Sequence, residues 1–392
     1  MERRIFEEEH EMFRDSVRGF VKNEIAPHAE RWNEQGVVDR EAFLRAGEMS
    51  ILCMWVPEEF GGIGMPDFRY EQIVNEEVTR YGDPGVFFTL HSRLVAPYIG
   101  TFGTDEQKRR WLPKCVTGES ILAIAMTEPG AGSDLSGIRT KAEDKGDHYL
   151  LNGSKTFISN GILADLVIVA ARTDPDKPHG LSLFVVERGM DGFERGSNMM
   201  KMGMKSQDTA ELFFDNVEVP KENLLGECDR GFYHLMHGLA EERLILATGS
   251  IANAEAAFDA TMEYVGERKM FGRALADFQN TRFELAEMRT ELDVGHAFVD
   301  RCVMAHNEGE LTAHDAAKAK LWVSEMENRV TDACVQLHGG NGFMMEYEVC
   351  RRHAAARVSR IYAGTSEIMK EIVARSLGLD PRRKKAAKKD AV

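Results

Sequence analysis

A block of strand-like sequence set between two helical regions constrains this chain more than any other feature. LADLVIVAARTD (163–174), HGLSLFVVERG (179–189) and TAELFFDNVEVP (209–220) are short and rich in Val, Leu and Phe. Gly, Asp and Pro bound them, which is the pattern of β-strands. Before them, EEEHEMFRDSVRGFVKNEI (7–25), DREAFLRAGEMSI (39–51) and DEQKRRWLPKCVTG (105–118) repeat apolar residues at three- and four-residue spacing, as amphipathic helices do. Gly-rich turns such as EEFGGIGMPD (58–67) divide those helices. After Leu225 the helical pattern returns in long proline-free runs, 230–269, 274–307 and 313–338. Long helices joined by short loops read as a bundle. The expected fold is therefore α+β: an N-terminal helical domain (1–120), a middle β domain (121–225), a C-terminal four-helix-bundle-like domain (226–380) and a basic disordered tail (381–392).

Charge and cysteine usage exclude several classes. The net charge is −15, although the tail PRRKKAAKKDAV holds six Lys/Arg against one Asp. The body is thus more acidic than the whole, and it lacks the basic face that general nucleic-acid binding requires. Cysteines 53, 115, 228, 302, 334 and 350 include no C-x-x-C pair, which suits reduced thiols in a cytosol-like compartment. Among twelve histidines there is no H-E-x-x-H, so no metal site is expected. MERRIFEEEHEMF is too acidic for a targeting segment. No apolar run approaches the ~18 residues of a membrane span, so stable membrane insertion is not expected and a bacterial cytoplasmic location is.

Five stretches carry chemistry. In AMTEPGAGSDL (125–135), Gly130 and Gly132 let backbone approach a bulky ligand, and Thr127 and Ser133 offer hydroxyls. GAGSDL lacks the third glycine and the βαβ setting of a dinucleotide fingerprint. NGSKTFISNG (152–161) is a strand bearing an aromatic. ERKMFGRALADFQ (267–279), QLHGGNGF (336–343) and IYAGTSEI (361–368) lie in the helical C-terminal region.

Together, and in this order, these stretches resemble the signatures of the acyl-CoA dehydrogenases; the resemblance covers nearly the whole chain except the tail. It implies an FAD cofactor. Met126, Thr127, Gly132 and Ser133 would contact the flavin, with Phe157, Ile158 and Ser159 along its ring system. Arg268 would fork onto the pyrophosphate of a neighbouring subunit's FAD, with Phe271 by the adenine and Gln279 on the dinucleotide. Gln336, Gly339 and Gly340 would complete that pocket. Thr365 and Glu367 would also lie by the cofactor. For the acyl-CoA substrate, the resemblance implies Ser133, the His179–Gly180 turn, Tyr233, Arg243 and the Ala363–Gly364 turn. It further implies a homotetramer reoxidised by an electron-transferring flavoprotein, acting in fatty-acid β-oxidation.

One position departs from the common pattern. Many members carry a catalytic glutamate where this chain has Ala363. Removing the α-proton of a thioester needs a carboxylate within ~3 Å of it, and alanine cannot serve. The long-chain and isovaleryl branches place their glutamate instead on a bundle helix, in a Glu-Arg-Leu stretch. Here HGLAEERLIL (237–246) supplies one. Glu242 has Leu239, Ile245 and Leu246 as helical neighbours, but Glu241 has Leu244 and Ile245, so periodicity leaves both open. The resemblance selects Glu242 as the base. It points to the long-chain branch through IFEEEHEMFRDSVRGF, DTAELFF and GTSEIMKEIVAR. A branched short-chain or terpenoid acyl-CoA dehydrogenase, an oxidase of the same fold, and a non-enzymatic module using its basic tail stay open as alternatives.

Overall fold

The computed structural model describes residues 3–380, and the expected disordered tail at 381–392 lies outside them. Six helices precede the sheet: α1 (Glu8–Phe20), α2 (Ala29–Gln35), α3 (Arg40–Glu48), α4 (Phe68–Tyr81), α5 (Ala96–Phe102) and α6 (Asp105–Val116). Eight strands follow: β1 (Leu122–Ala125), β2 (Lys141–Asp144), β3 (His148–Ser159), β4 (Leu166–Arg172), β5 (Leu181–Glu187), β6 (Phe193–Arg195), β7 (Thr209–Pro220) and β8 (Leu224–Leu225). They form one sheet ordered β6-β7-β3-β2-β4-β5-β8, with β1 pairing parallel to β4. The C-terminal region is α7 (Gly231–Glu267), α8 (Gln279–Asn307), α9 (Ala313–His338), α10 (Glu348–Ala356) and α11 (Ser366–Ser376).

Helix α7 organises the C-terminal region. At 37 residues it is ~55 Å long, and α4, α8, α9 and α10 all pack on it. From Glu242 to Phe258 it is buried almost continuously, which explains why its sequence shows no polar stripe over that stretch. One apolar core joins this bundle to the inner faces of β4 and β5 through residues such as Leu244, Ile251, Ile168 and Val185. No helix among the described residues is long and apolar enough to cross a membrane. All six cysteines are unpaired.

Two irregularities position side chains. The β3–β7 register shifts between Lys155 and Ile158, and Phe157 takes a left-handed φ of 59°. That bulge turns the ring outward, 69 % exposed. Before α5, Leu90–Val95 is a π-helical turn. Pro97, which has no N–H to donate, follows it. The turn sets Arg93 and Tyr98 against α7.

Candidate active site

Glu242 is 3 % exposed in the middle of α7. The Tyr98 hydroxyl donates to its Oε1 at 2.8 Å. Burial pushes this carboxyl up to about 7; the Tyr98 bond and Arg243 work against that, and the Glu241 charge adds to it. An acid so placed titrates where a general base needs to.

Its neighbour is engaged differently. Glu241 forms an ion pair with Arg93 at 2.7 Å, and its Oε2 meets His306 Nε2 at 3.0 Å. Burial would raise Glu241, but the His306 bond and the Arg93 charge outweigh it and hold the group below the usual carboxylate range. The two successive glutamates therefore face different partners. One is committed to Arg93 and His306; the other is desolvated and held by a neutral hydroxyl.

The turn at Ala363 has two consecutive left-handed residues, with φ 49° at Ala363 and 93° at Gly364. A left-handed alanine is held only where surrounding structure dictates it. Lys320 supplies part of that constraint: it is 1 % exposed, and its Nζ donates to the Gly364 carbonyl at 2.7 Å. Burial, with the Arg243 charge, brings Lys320 down to about 8. Thr365 caps α11 by accepting from Ile368 N, and Glu367 is exposed on its first turn. Sequence reasoning missed Lys320 and Tyr98. For Lys320 a signal existed: it sits at helical spacing from Ala316, Ala317, Val323 and Ser324, all of them buried.

A second cluster joins AMTEPGAGSDL to NGSKTFISNG. Thr156 N donates to Thr127 O at 2.9 Å, and the Thr127 hydroxyl returns a bond to Thr156 O at 2.5 Å. Lys155, fully buried, donates to Met126 O at 3.1 Å and Glu128 Oε1 at 2.8 Å. Glu128 also accepts from Arg139 N and Thr140 N. This clamp leaves Gly132, Ser133 and Phe157 exposed and Met126, Thr127 and Ser159 half-buried. A Cβ at Gly130 or Gly132 would meet nothing within 4 Å. Open backbone beside an outward aromatic fits a flat ring ligand. Ile158 is 2 % exposed in the β core, so any flavin contact it makes is through its backbone.

A third group lies at the far end of α7. Arg268 N donates to Tyr264 O at 2.8 Å. Tyr264 stacks on His338 with ring centres 4.0 Å apart, and its hydroxyl donates to His338 O at 3.2 Å, which ties the end of α7 to the 336–340 turn. Arg268, Phe271, Gln279, Gln336, Gly339 and Gly340 are all exposed. His338 is itself a core histidine, its Nδ1 2.8 Å from Cys334 O. Among the described residues no hydrogen bond, ion pair or ring contact joins this group to Thr127 or Phe157. His179 stacks on Phe232 at 4.0 Å with Tyr233 edge-on at 6.4 Å, so His179 and Tyr233 share one patch; Gly180 beside them is buried.

Comparison with known proteins agrees over residues 7–378. Profiles described as acyl-CoA dehydrogenase N-terminal, middle and C-terminal domains match residues 7–119, 123–217 and 229–378. The chain is 48 % identical over 381 residues to the long-chain specific acyl-CoA dehydrogenase, mitochondrial, of Mus musculus, covering 96 % of this chain and 88 % of that one. Over 377 residues it is 36 % identical to the isovaleryl-CoA dehydrogenase, mitochondrial, of Solanum tuberosum, covering 95 % and 91 %. The crystal structure of an acyl-CoA dehydrogenase from Geobacillus kaustophilus superposes with a TM-score of 0.93 at 50 % identity, covering 95 % and 99 %.

Proposed function

Because the chain belongs to the acyl-CoA dehydrogenase family of FAD-dependent oxidoreductases, we propose that it converts a long-chain or branched acyl-CoA to the trans-2-enoyl-CoA, as a step of fatty-acid β-oxidation. Glu242 takes the α-proton. The observation that carries this reading is the contrast on α7: Glu242 is buried, raised to about 7 and free of cationic hydrogen bonds, while Glu241 is tied to Arg93 and His306.

Bound FAD supplies the acceptor for the hydride that leaves the β-carbon. Met126, Thr127, Gly132, Ser133, Phe157, Ile158 and Ser159 would hold it, together with Thr365 and Glu367. The clamp of Lys155 and Glu128 keeps the two strands that carry these residues in register. Arg268, Phe271, Gln279, Gln336, Gly339 and Gly340 reach the cofactor of a neighbouring subunit. Their exposure supports that arrangement, as do the rings of Phe271 and Phe343, which are 88 % and 80 % exposed and would favour cover by a second copy. The assembly we propose is a homotetramer, reoxidised by an electron-transferring flavoprotein in the bacterial cytoplasm. The chain is read as domains 1–120, 121–225 and 226–380.

At the reacting carbon, ionised Glu242 accepts the proton while Tyr98 steadies its oxygen. The backbone N–H of the Ala363 turn donates to the thioester carbonyl, stabilising the enolate-like charge. That role needs no side chain, so the glutamate common at this position is dispensable here. Lys320, holding the Gly364 carbonyl, fixes the direction of the turn. Ser133, the His179–Gly180 turn, Tyr233 and Arg243 contact the acyl-CoA. The test is anaerobic titration of the purified flavoprotein with a panel of acyl-CoAs. Bleaching of the flavin by long-chain or branched thioesters is expected; no bleaching by any of them would refute the reading.

A further inference from the structure

A small cavity lies one helical turn beyond the base. Val86, Phe87, Ile245, Leu246, Gly249 and Tyr362 form its apolar wall. Ile245 and Leu246 follow Glu242 on the same helix, and Tyr362 immediately precedes Ala363. An acyl chain whose α-carbon sits between Glu242 and the Ala363 turn therefore continues toward this cavity. Gly249 and Ser250, on its wall, lie ~11 Å along α7 from Glu242.

The wall also carries a carboxyl that a pocket for plain hydrocarbon has no use for. Glu327, on α9, is 3 % exposed. Its Oε1 accepts from Asn253 Nδ2 at 2.8 Å, and Asn253 is anchored in turn by the Arg352 carbonyl at 3.1 Å. Its Oε2 has no hydrogen-bond partner. The hydroxyls of Ser250 and Ser359 stand near enough to favour the charged form, yet neither meets Oε2 in hydrogen-bonding geometry. Ser359 instead donates to Ala356 O at 2.7 Å. Asn253 thus fixes one half of this carboxyl, while the other, with the Ser250 and Ser359 hydroxyls beside it, has no well-aligned donor and is open to a further partner. The cavity measures ≈ 30 Å³, room for one or two water-sized groups. It admits the polar tip of a chain and little more.

We infer that Glu327 Oε2 binds a hydroxyl group carried at or near the distal end of the acyl chain. A hydroxyl suits the chemistry better than an ammonium or a second carboxylate. Burial pushes Glu327 up to about 7, so near neutral pH it is present both ionised and protonated. A hydroxyl can donate to the first form and accept from the second. The inference rests on the reading of the chain as an acyl-CoA dehydrogenase and narrows its substrate class.

The experiment compares matched acyl-CoAs of graded length, plain and terminally hydroxylated, by anaerobic flavin reduction and by calorimetric Kd. At the length that reaches Glu327, the hydroxylated thioester is expected to show about tenfold higher kcat/KM and about tenfold tighter Kd, carried by KM rather than kcat. Glu327→Leu should erase that ratio. Glu327→Gln, which can keep the Asn253 contact, should reduce it and guards against a folding defect in the leucine variant. A hydroxylated-to-plain ratio near one in the parent protein at every length would overturn the inference, as would a ratio unchanged in both variants. Failure of every acyl-CoA to bleach the flavin would instead refute the proposed function, and the calorimetric ratio would still decide the role of Glu327.

Discussion

The Tyr98 hydroxyl donates to Glu242 Oε1 at 2.8 Å and has a second acceptor, the Leu235 carbonyl, at 3.5 Å. One hydroxyl can therefore serve both states of the carboxyl. While Glu242 is ionised, Tyr98 donates to it; once Glu242 is protonated, Tyr98 can turn its hydrogen to Leu235 and accept instead. The residues are 144 apart in sequence, and nothing local in either segment announces the pair.

Tyr98→Phe should shift the pH profile of flavin reduction. Glu242 must be ionised to accept a proton, so with a carboxyl near 7 the rate rises as pH increases through 7 and is lost below it. The Tyr98 bond favours the ionised form. Removing it should move the acid limb upward by about one pH unit. A phenylalanine variant whose limb does not move, or moves down, would show that the bond does not govern Glu242.

Glu242→Gln should bind acyl-CoA and keep its flavin but lose flavin reduction by about a thousandfold or more, because the amide cannot accept the proton. Glu241→Gln should behave differently. It removes a charge that raises Glu242, so its acid limb should move down rather than up. It also leaves Arg93, 9 % exposed, without its partner, a defect of ~3–5 kcal/mol when such a pair is buried. The stability loss should exceed the activity loss. Rapid-mixing kinetics and thermal melts on both variants separate the two roles; the reverse pattern would reassign the base to Glu241.

Arg268→Ala should weaken FAD retention, since it removes one bidentate ionic contact to the pyrophosphate. The loss should be greatest under conditions that dissociate the assembly. Flavin content after gel filtration, at high and low protein concentration, is the measurement. Equal retention in variant and parent would remove Arg268 from the site.

Glu71 gives a stability prediction. It is 3 % exposed, its Oε1 has no partner, and burial pushes it up to about 7, with Arg93 opposing and Glu241 reinforcing. A folded-state value above the unfolded one means that ionising the group costs stability. Below the ordinary carboxylate range Glu71 is neutral in both states and costs nothing, whereas above 7 the penalty is complete. Glu71→Gln should therefore raise the melting temperature at pH 8 and have little effect at pH 4. A stabilisation larger at pH 4 than at pH 8 would contradict the assignment.

Sequence alone determined the order of textures, because the periods of helix and strand are local properties of a dozen residues. It also showed where the glycine-rich motifs lie, since glycine stands out in sequence whether the backbone needs it, as at Gly339 and Gly364 with their left-handed φ, or merely leaves room, as at Gly130 and Gly132. The absence of a glutamate at 363 and the presence of a Glu-Glu-Arg-Leu stretch on a bundle helix were equally plain. What it left undivided was Glu241 against Glu242. Successive helical residues point ~100° apart, and each had apolar neighbours at helical spacing. Tertiary packing separated them by bringing Arg93 and His306 to one and Tyr98 to the other. The same holds for Lys320 against Gly364 and for the open oxygen of Glu327. A charge on an amphipathic helix has no fixed meaning until its neighbours arrive. Burial then sets its proton affinity and geometry its partner, and both come from segments tens to hundreds of residues away.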